Sequence, residues 1–151
     1  MDFPGLDPDS LAGTLAGLLT AWVLALPVAW NREHGQQLGL RTLPLVAVAS
    51  YGYVLIGVQI AGGDANALSR IVQGLITGIG FIGGGAILKS ADGVQGTATA
   101  AAIWATGAVG AAVAVARFEL ALAITLVTFL TFLVLTPLGH EGADVDEKEA
   151  A

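Results

Sequence analysis

Five apolar stretches separated by short polar segments make up most of this sequence. They run over about residues 11–30, 43–61, 70–88, 97–116 and 118–138. Each approaches the roughly 20 residues that a helix needs to cross the hydrocarbon core of a bilayer. The pattern predicts an all-α integral membrane bundle of about five transmembrane helices.

Polar segments border this apolar region at both ends. We interpret residues 1–10 as an acidic N-terminal segment, 11–138 as the transmembrane domain and 139–151 as an acidic, disordered tail. No lysine or arginine precedes the first apolar stretch, so the sequence does not predict a cleaved signal peptide.

The third apolar stretch is unusually rich in glycine. Its glycines are Gly74, Gly78, Gly80, Gly83, Gly84 and Gly85. In a soluble helix each would cost about 1 kcal/mol relative to alanine, whereas in lipid small residues let two helices approach closely. We therefore predict a central helix packed on more than one side.

The fourth stretch consists almost entirely of small residues. A short connection containing Asp92 and Gly93 joins it to the glycine-rich stretch, which predicts that the two helices are antiparallel neighbours. Further candidate packing residues in and beside this stretch are Gly96, Thr99 and Gly107.

Gly78, Gly80 and Gly83 also satisfy the G-x-G-x-x-G pattern of dinucleotide-binding proteins. That fingerprint needs a preceding strand and an acidic residue about 20 positions further on. The surrounding sequence offers neither, so we expect no nucleotide cofactor.

The composition supports a membrane protein. Only 12% of the 151 residues are charged and 55% are hydrophobic, with a mean hydropathy of +0.77. The chain has no cysteine, which excludes disulfides and thiolate metal sites. The net charge of −6 arises from acids near the two ends, and no basic patch indicates nucleic-acid binding.

The positions of lysine and arginine predict the orientation. One side of a five-span arrangement holds Arg32, Arg41, Lys89 and Lys148, and the other holds Arg70 and Arg117. Because the richer side is usually cytoplasmic, we expect the N-terminus outside and the C-terminus inside.

Four charged residues are candidates for a functional role. Arg70 either extends to the lipid head groups or pairs with an acid such as Asp64, Glu119 or an N-terminal aspartate. Arg32, Glu33 and Arg41, together with Lys89, either anchor the topology or bind an anion or lipid head group.

The sequence predicts neither catalysis nor metal binding. His34 and His140 have no partners at metal-ligand spacing, and no serine is accompanied by a histidine and an acid. No carboxylate lies within the predicted bilayer to hold magnesium. We therefore expect a protein that is not an enzyme and needs no cofactor.

Several motifs closely resemble the membrane domain of the MgtC/SapB family. They are Arg-Glu at 32–33, GLRT at 39–42, Arg-Ile at 70–71, GIGFIGGGAIL at 78–88 and VQGTATAAAIW at 94–104, which ends in the motif aromatic Trp104. The sequence differs from the usual family pattern at Asn31, Gln95 and Ala98.

The resemblance implies a multi-pass protein of the bacterial inner membrane with a regulatory role. It implies a link to magnesium limitation and virulence, and the ATP synthase as a possible partner. Longer members continue into a cytosolic ACT-like domain, where this sequence has only the acidic tail.

Two functional hypotheses remain open on the sequence. In the first, the protein acts through contacts of its helices with other membrane proteins or lipids. In the second, it is a small oligomeric transporter or channel in which Arg70 and the glycine-rich helix line the path. We expect the protein to form a homo-oligomer.

Overall fold

A computed structural model describes the backbone of residues 11–36, 39–90 and 93–149, and the side chains of 11–32, 39–89 and 93–135. Within these ranges the chain forms five helices and one two-stranded hairpin. In chain order these are α1 (Leu11–Gln36), α2 (Gly39–Ala61), α3 (Ala65–Gly85), β1 (Leu88–Ser90), β2 (Gly93–Gln95), α4 (Thr97–Ala114) and α5 (Phe118–Glu149).

Each helix has a segment long and apolar enough to cross a membrane. These segments are 22, 23, 21, 18 and 18 residues long in chain order. The predicted all-α membrane bundle of five transmembrane helices is therefore confirmed. The prolines do not divide the helices, since Pro27 lies inside α1 and Pro44 inside α2.

The glycine-rich helix α3 begins and ends earlier than the predicted 70–88. Asp64 caps its N-terminus by accepting a hydrogen bond from the Asn66 backbone N–H at 2.8 Å. Gly62 and Gly63 form the preceding turn with positive φ angles of 53° and 96°. The helix ends at Gly85 because the following residues turn into a strand.

A β-hairpin connects α3 to α4, where the sequence predicts only a short turn. Strands β1 and β2 are antiparallel, with Lys89 opposite Val94. Gly96 closes the hairpin with a φ of 84°, and a Cβ there would collide with the Ala86 carbonyl oxygen. Asp92, part of the predicted turn, lies outside the described residues.

The centre of the bundle is α4, which packs against each of the other four helices. About 56% of its spanning segment is buried, compared with 11% for α3. Helix α3 packs mainly on α2 and α4 and is little buried, so the expectation that it is the central helix is wrong. Its predicted antiparallel contact with α4 is confirmed.

Small residues bring α4 close to its neighbours. A Cβ at Gly110 would collide with the Ala47 carbonyl oxygen of α2, and one at Gly107 would collide with the Ile79 side chain of α3. The buried core contains many alanines. Such a core gives little area to lipid and lets helix backbones approach, as transmembrane packing favours.

Helix α5 covers α1 and α4. Its Thr125 hydroxyl donates a hydrogen bond to the Leu24 carbonyl oxygen of α1 at 3.1 Å. The helical backbone continues to Glu149, which differs from the disordered tail predicted from residue 139. Alanine, glutamate and lysine in that segment favour a helix. The domain boundaries remain a prediction.

Candidate functional site

Arg32 lies where α1, α4 and α5 meet. Its Nη2 atom donates a hydrogen bond to Thr99 Oγ1 at 3.2 Å, and its guanidinium carbon lies 5.2 Å from the centre of the Phe132 ring. The cation and the ring attract one another at this distance. The arginine therefore joins the end of α1 to the first turns of α4 and to α5.

This position places positive charge beside the N-terminal end of α4, which is itself the positive end of the helix dipole. The Arg32 Nε atom is buried and has no hydrogen-bond partner among the described residues. An unpaired buried donor costs about 1–3 kcal/mol. The contacts of Arg32 with Thr99 and Phe132 offset this cost. A structural role of Arg32, in joining the three helices, therefore explains much of the arrangement around it.

Arg41 lies apart from that cluster, at the beginning of α2. It lines a cavity of about 770 Å³ between α2 and α3, here called the α2–α3 groove. The groove is lined by Arg41, Thr42, Leu45, Val46, Ala49, Ser50, Tyr53, Ile71, Gly74, Leu75, Gly78, Ile79 and Ile82. Arg41 is thus a cation at the edge of an apolar space.

Arg70 is exposed near the beginning of α3 and forms no ion pair with any described residue. Two of the acids proposed as partners are engaged elsewhere, since Asp64 caps α3 and Glu119 pairs with Arg117. The N-terminal aspartates lie outside the described residues.

Gln73 and Thr77 follow Arg70 on the outward side of α3, and both are exposed. We call these three residues the polar stripe. The Thr77 hydroxyl donates to the Gln73 carbonyl oxygen at 2.9 Å, but no described residue contacts the Gln73 side-chain amide by a hydrogen bond. A polar amide facing hydrocarbon is costly without a partner.

The predicted packing glycines divide into two groups. Gly83, Gly96 and Gly107 lie against neighbouring backbone or side chains, and a Cβ at Gly80 would lie 3.7 Å from Trp104 Nε1. Among the described residues, Gly74, Gly78, Gly84 and Gly85 have no atom within 4 Å of such a Cβ. The helix-packing role predicted for these four glycines stays a prediction.

Trp104 is half-exposed and lines a second cavity of about 350 Å³ on the other side of α3, against α4 and α5. This places the motif aromatic at the α3–α4 interface. Among the described residues, no three histidine, aspartate or glutamate side chains come together where they could hold a metal ion. The side chain of Glu33 lies outside the described part.

Phe132 and Gln73 are not among the residues that the sequence analysis selects. Phe132 is 100 positions from Arg32, and no local pattern could indicate their contact. Gln73 carries a usable signal, because a glutamine within an apolar span three residues after an arginine is unusual. Gly110 is also not among the residues that the sequence analysis selects. Its role in packing depends on the Ala47 backbone of α2, which lies against it.

The fold and these features define a multi-pass helical membrane protein with polar residues on an edge helix. The sequence pattern of the MgtC family matches residues 18–141, and the chain belongs to that family. No solved structure matches the chain.

Several curated proteins are similar to this chain. Protein SrpB of Synechococcus elongatus is 39% identical over 127 residues, which cover 76% of this chain and 70% of SrpB. Protein MgtC of Brucella abortus is 38% identical over 66% of this chain and 42% of its own length. Protein MgtC of Salmonella typhimurium is 30% identical over 80% and 52%. The chain thus spans about half the length of these MgtC proteins or less.

Proposed function

We propose that this protein is a regulatory membrane protein of the MgtC type, and that it acts by binding another membrane protein along α3. The observation that supports this proposal is the polar stripe of Arg70, Gln73 and Thr77 on the exposed side of an edge helix. A partner helix that hydrogen-bonds the Gln73 amide would remove the cost of leaving that amide in hydrocarbon.

The glycines of α3 fit the same role. Gly84 is exposed with open space around it, seven positions after Thr77 and so on a similar face of the helix. Small residues beside hydrogen-bonding side chains are typical of transmembrane helix interfaces. Family resemblance suggests the ATP synthase as the partner, with physiology linked to magnesium limitation and virulence.

The proposed location is the bacterial inner membrane, with the N-terminus outside and the C-terminus cytoplasmic. The lysine and arginine distribution supports this orientation, since Arg32 near the end of α1, Arg41 near the beginning of α2 and Lys89 in the hairpin outnumber Arg70 and Arg117 on the opposite side. In this proposal the protein is not an enzyme and binds no cofactor.

Site-directed crosslinking tests the proposed contact. The chain has no cysteine, so a Thr77→Cys variant carries one unique attachment point. A photoactivatable crosslinker at this position, used in native membranes, is expected to capture one membrane protein reproducibly. The added change Gln73→Leu is expected to reduce that capture at least fivefold, because it removes the hydrogen-bonding amide.

A matched control is Val127→Cys on α5, which is 64% exposed but lies outside the polar stripe. Equal capture from Val127 and Thr77 would contradict a specific interface on α3. Recovery of ATP synthase subunits from Thr77 alone would identify the family-suggested partner.

The alternative is a small oligomeric transporter or channel whose path is lined by the polar stripe. Exposed Arg70, Gln73 and Thr77 could line an aqueous path between copies as readily as a protein interface. Ion flux into proteoliposomes that is lost in Arg70→Ala but kept in Arg117→Ala would favour this alternative. Crosslinks from Thr77 to identical copies alone would favour it too.

A further inference from the structure

The α2–α3 groove is slightly longer than one leaflet of a bilayer is thick. At about 1.5 Å of rise per residue, the stretch of α2 from Arg41 to Tyr53 is about 18 Å long. Half of the roughly 30 Å hydrocarbon core is about 15 Å. With the charged Arg41 at the membrane boundary, a groove of this length reaches just beyond the bilayer centre.

The ends of the groove differ in chemistry. Arg41 and Thr42 lie at the boundary, while most residues that line the deeper part are apolar, among them Val46, Leu75 and Ile79. A cation at the mouth and hydrocarbon below match an anionic head group with an acyl chain beneath it. Basic residues between transmembrane helices bind phosphate-bearing lipid head groups in this way.

The groove is an elongated space between two helices. It extends about 18 Å along α2 and has a volume of about 770 Å³. A flexible acyl chain fits the space, and the volume lies within the roughly 300–1,000 Å³ typical of sites for small ligands.

We propose that the α2–α3 groove binds an acyl chain of an anionic phospholipid from the leaflet on the Arg41 side, with the lipid phosphate at the Arg41 guanidinium. The bare backbone at Gly74 and Gly78 provides room for that chain. This lipid site is independent of the proposed regulatory function, and it leaves the polar stripe available to a partner.

Native mass spectrometry of the full chain tests the site. The detergent-solubilised protein is incubated with phosphatidylglycerol or phosphatidylcholine of identical acyl chains, and bound lipids are counted. Wild type is expected to retain phosphatidylglycerol about fivefold better. Arg41→Gln is expected to lose this preference, while Lys89→Gln, in the hairpin on the same side but outside the groove, keeps it.

A second pair of variants tests the acyl-chain position. Gly78→Leu fills the groove, whereas Gly84→Leu adds the same side chain in open space outside the groove. Retention of both lipids is expected to fall at least fivefold in Gly78→Leu and to stay unchanged in Gly84→Leu. Ala49→Leu, which also narrows the groove, replaces Gly78→Leu if that variant does not fold.

Three results would overturn the proposal. The first is an unchanged lipid preference in Arg41→Gln, and the second is equal lipid retention by the two leucine variants. The third is efficient crosslinking of Gly78→Cys to the same position in a second copy, since the groove would then be a protein interface.

Discussion

Helices α3 and α4 are neighbours built from small residues, yet they occupy opposite environments. Helix α4 contacts all the other helices, and its Gly107 and Gly110 allow α3 and α2 to approach. Helix α3 has more glycine but is mostly exposed, with polar residues on its outer face. The number of glycines in a span therefore does not indicate how deeply that span is buried.

The difference lies in what accompanies the glycines. Helix α4 has alanine or another small residue at most other positions, so every side can face a neighbour. Helix α3 carries large side chains such as Phe81, which is 84% exposed, as well as Arg70 and Gln73. A helix with small residues on all its sides favours the centre of the bundle. A helix in which small residues alternate with large or polar ones favours the edge of the bundle.

The largest expected effect comes from Gly110→Leu in α4. The new Cβ collides with the Ala47 backbone, which cannot move without shifting α2, so we expect a loss of more than about 3 kcal/mol of unfolding free energy. Thermal unfolding in detergent measures it. Gly84→Leu in α3 is the control, and a loss of similar size there would contradict the comparison.

A smaller loss is expected for Gly96→Ala at the beginning of α4. The positive φ and the collision with the Ala86 carbonyl oxygen together are expected to cost about 2–3 kcal/mol. Gly93 also has a positive φ, but it has open space around it. Gly93→Ala therefore measures the cost of backbone strain without a collision. The same unfolding measurement applies, and equal losses would show that the collision has no effect.

Thr99→Val in α4 removes the acceptor for Arg32 without changing the size of the side chain. We expect a loss of about 1.5–3 kcal/mol, the usual value of a hydrogen bond to a charged group. Thr106→Val is the matched variant, since its hydroxyl donates to the Ala102 carbonyl oxygen one turn earlier in the same helix. Chemical unfolding of both proteins in mixed micelles should give the larger loss for Thr99.

The smallest effect is expected for Thr77→Val on the exposed face of α3. Its hydroxyl bonds the Gln73 carbonyl oxygen within the same helix, so the unfolding free energy should change by less than about 0.5 kcal/mol. A larger loss, measured on the purified protein without a partner, would mean that this face stabilises the isolated chain.

The sequence predicts the fold class well because length and hydropathy determine membrane spans. It also predicts the α3–α4 contact. It does not predict the edge position of α3, since this depends on which surfaces α4 presents to α2. The contact of Arg32 with Thr99, 67 positions away, likewise requires the folded bundle.

Helix α3 is held at its ends more firmly than along its length. The glycine turn at 62–63 and the hairpin fix the two ends, while cavities of about 770 and 350 Å³ lie on its two sides. A sideways displacement of α3 would break fewer contacts than the same displacement of α4. The bundle thus combines a closely packed centre at α4 with a peripheral segment at α3 that has open space on two sides.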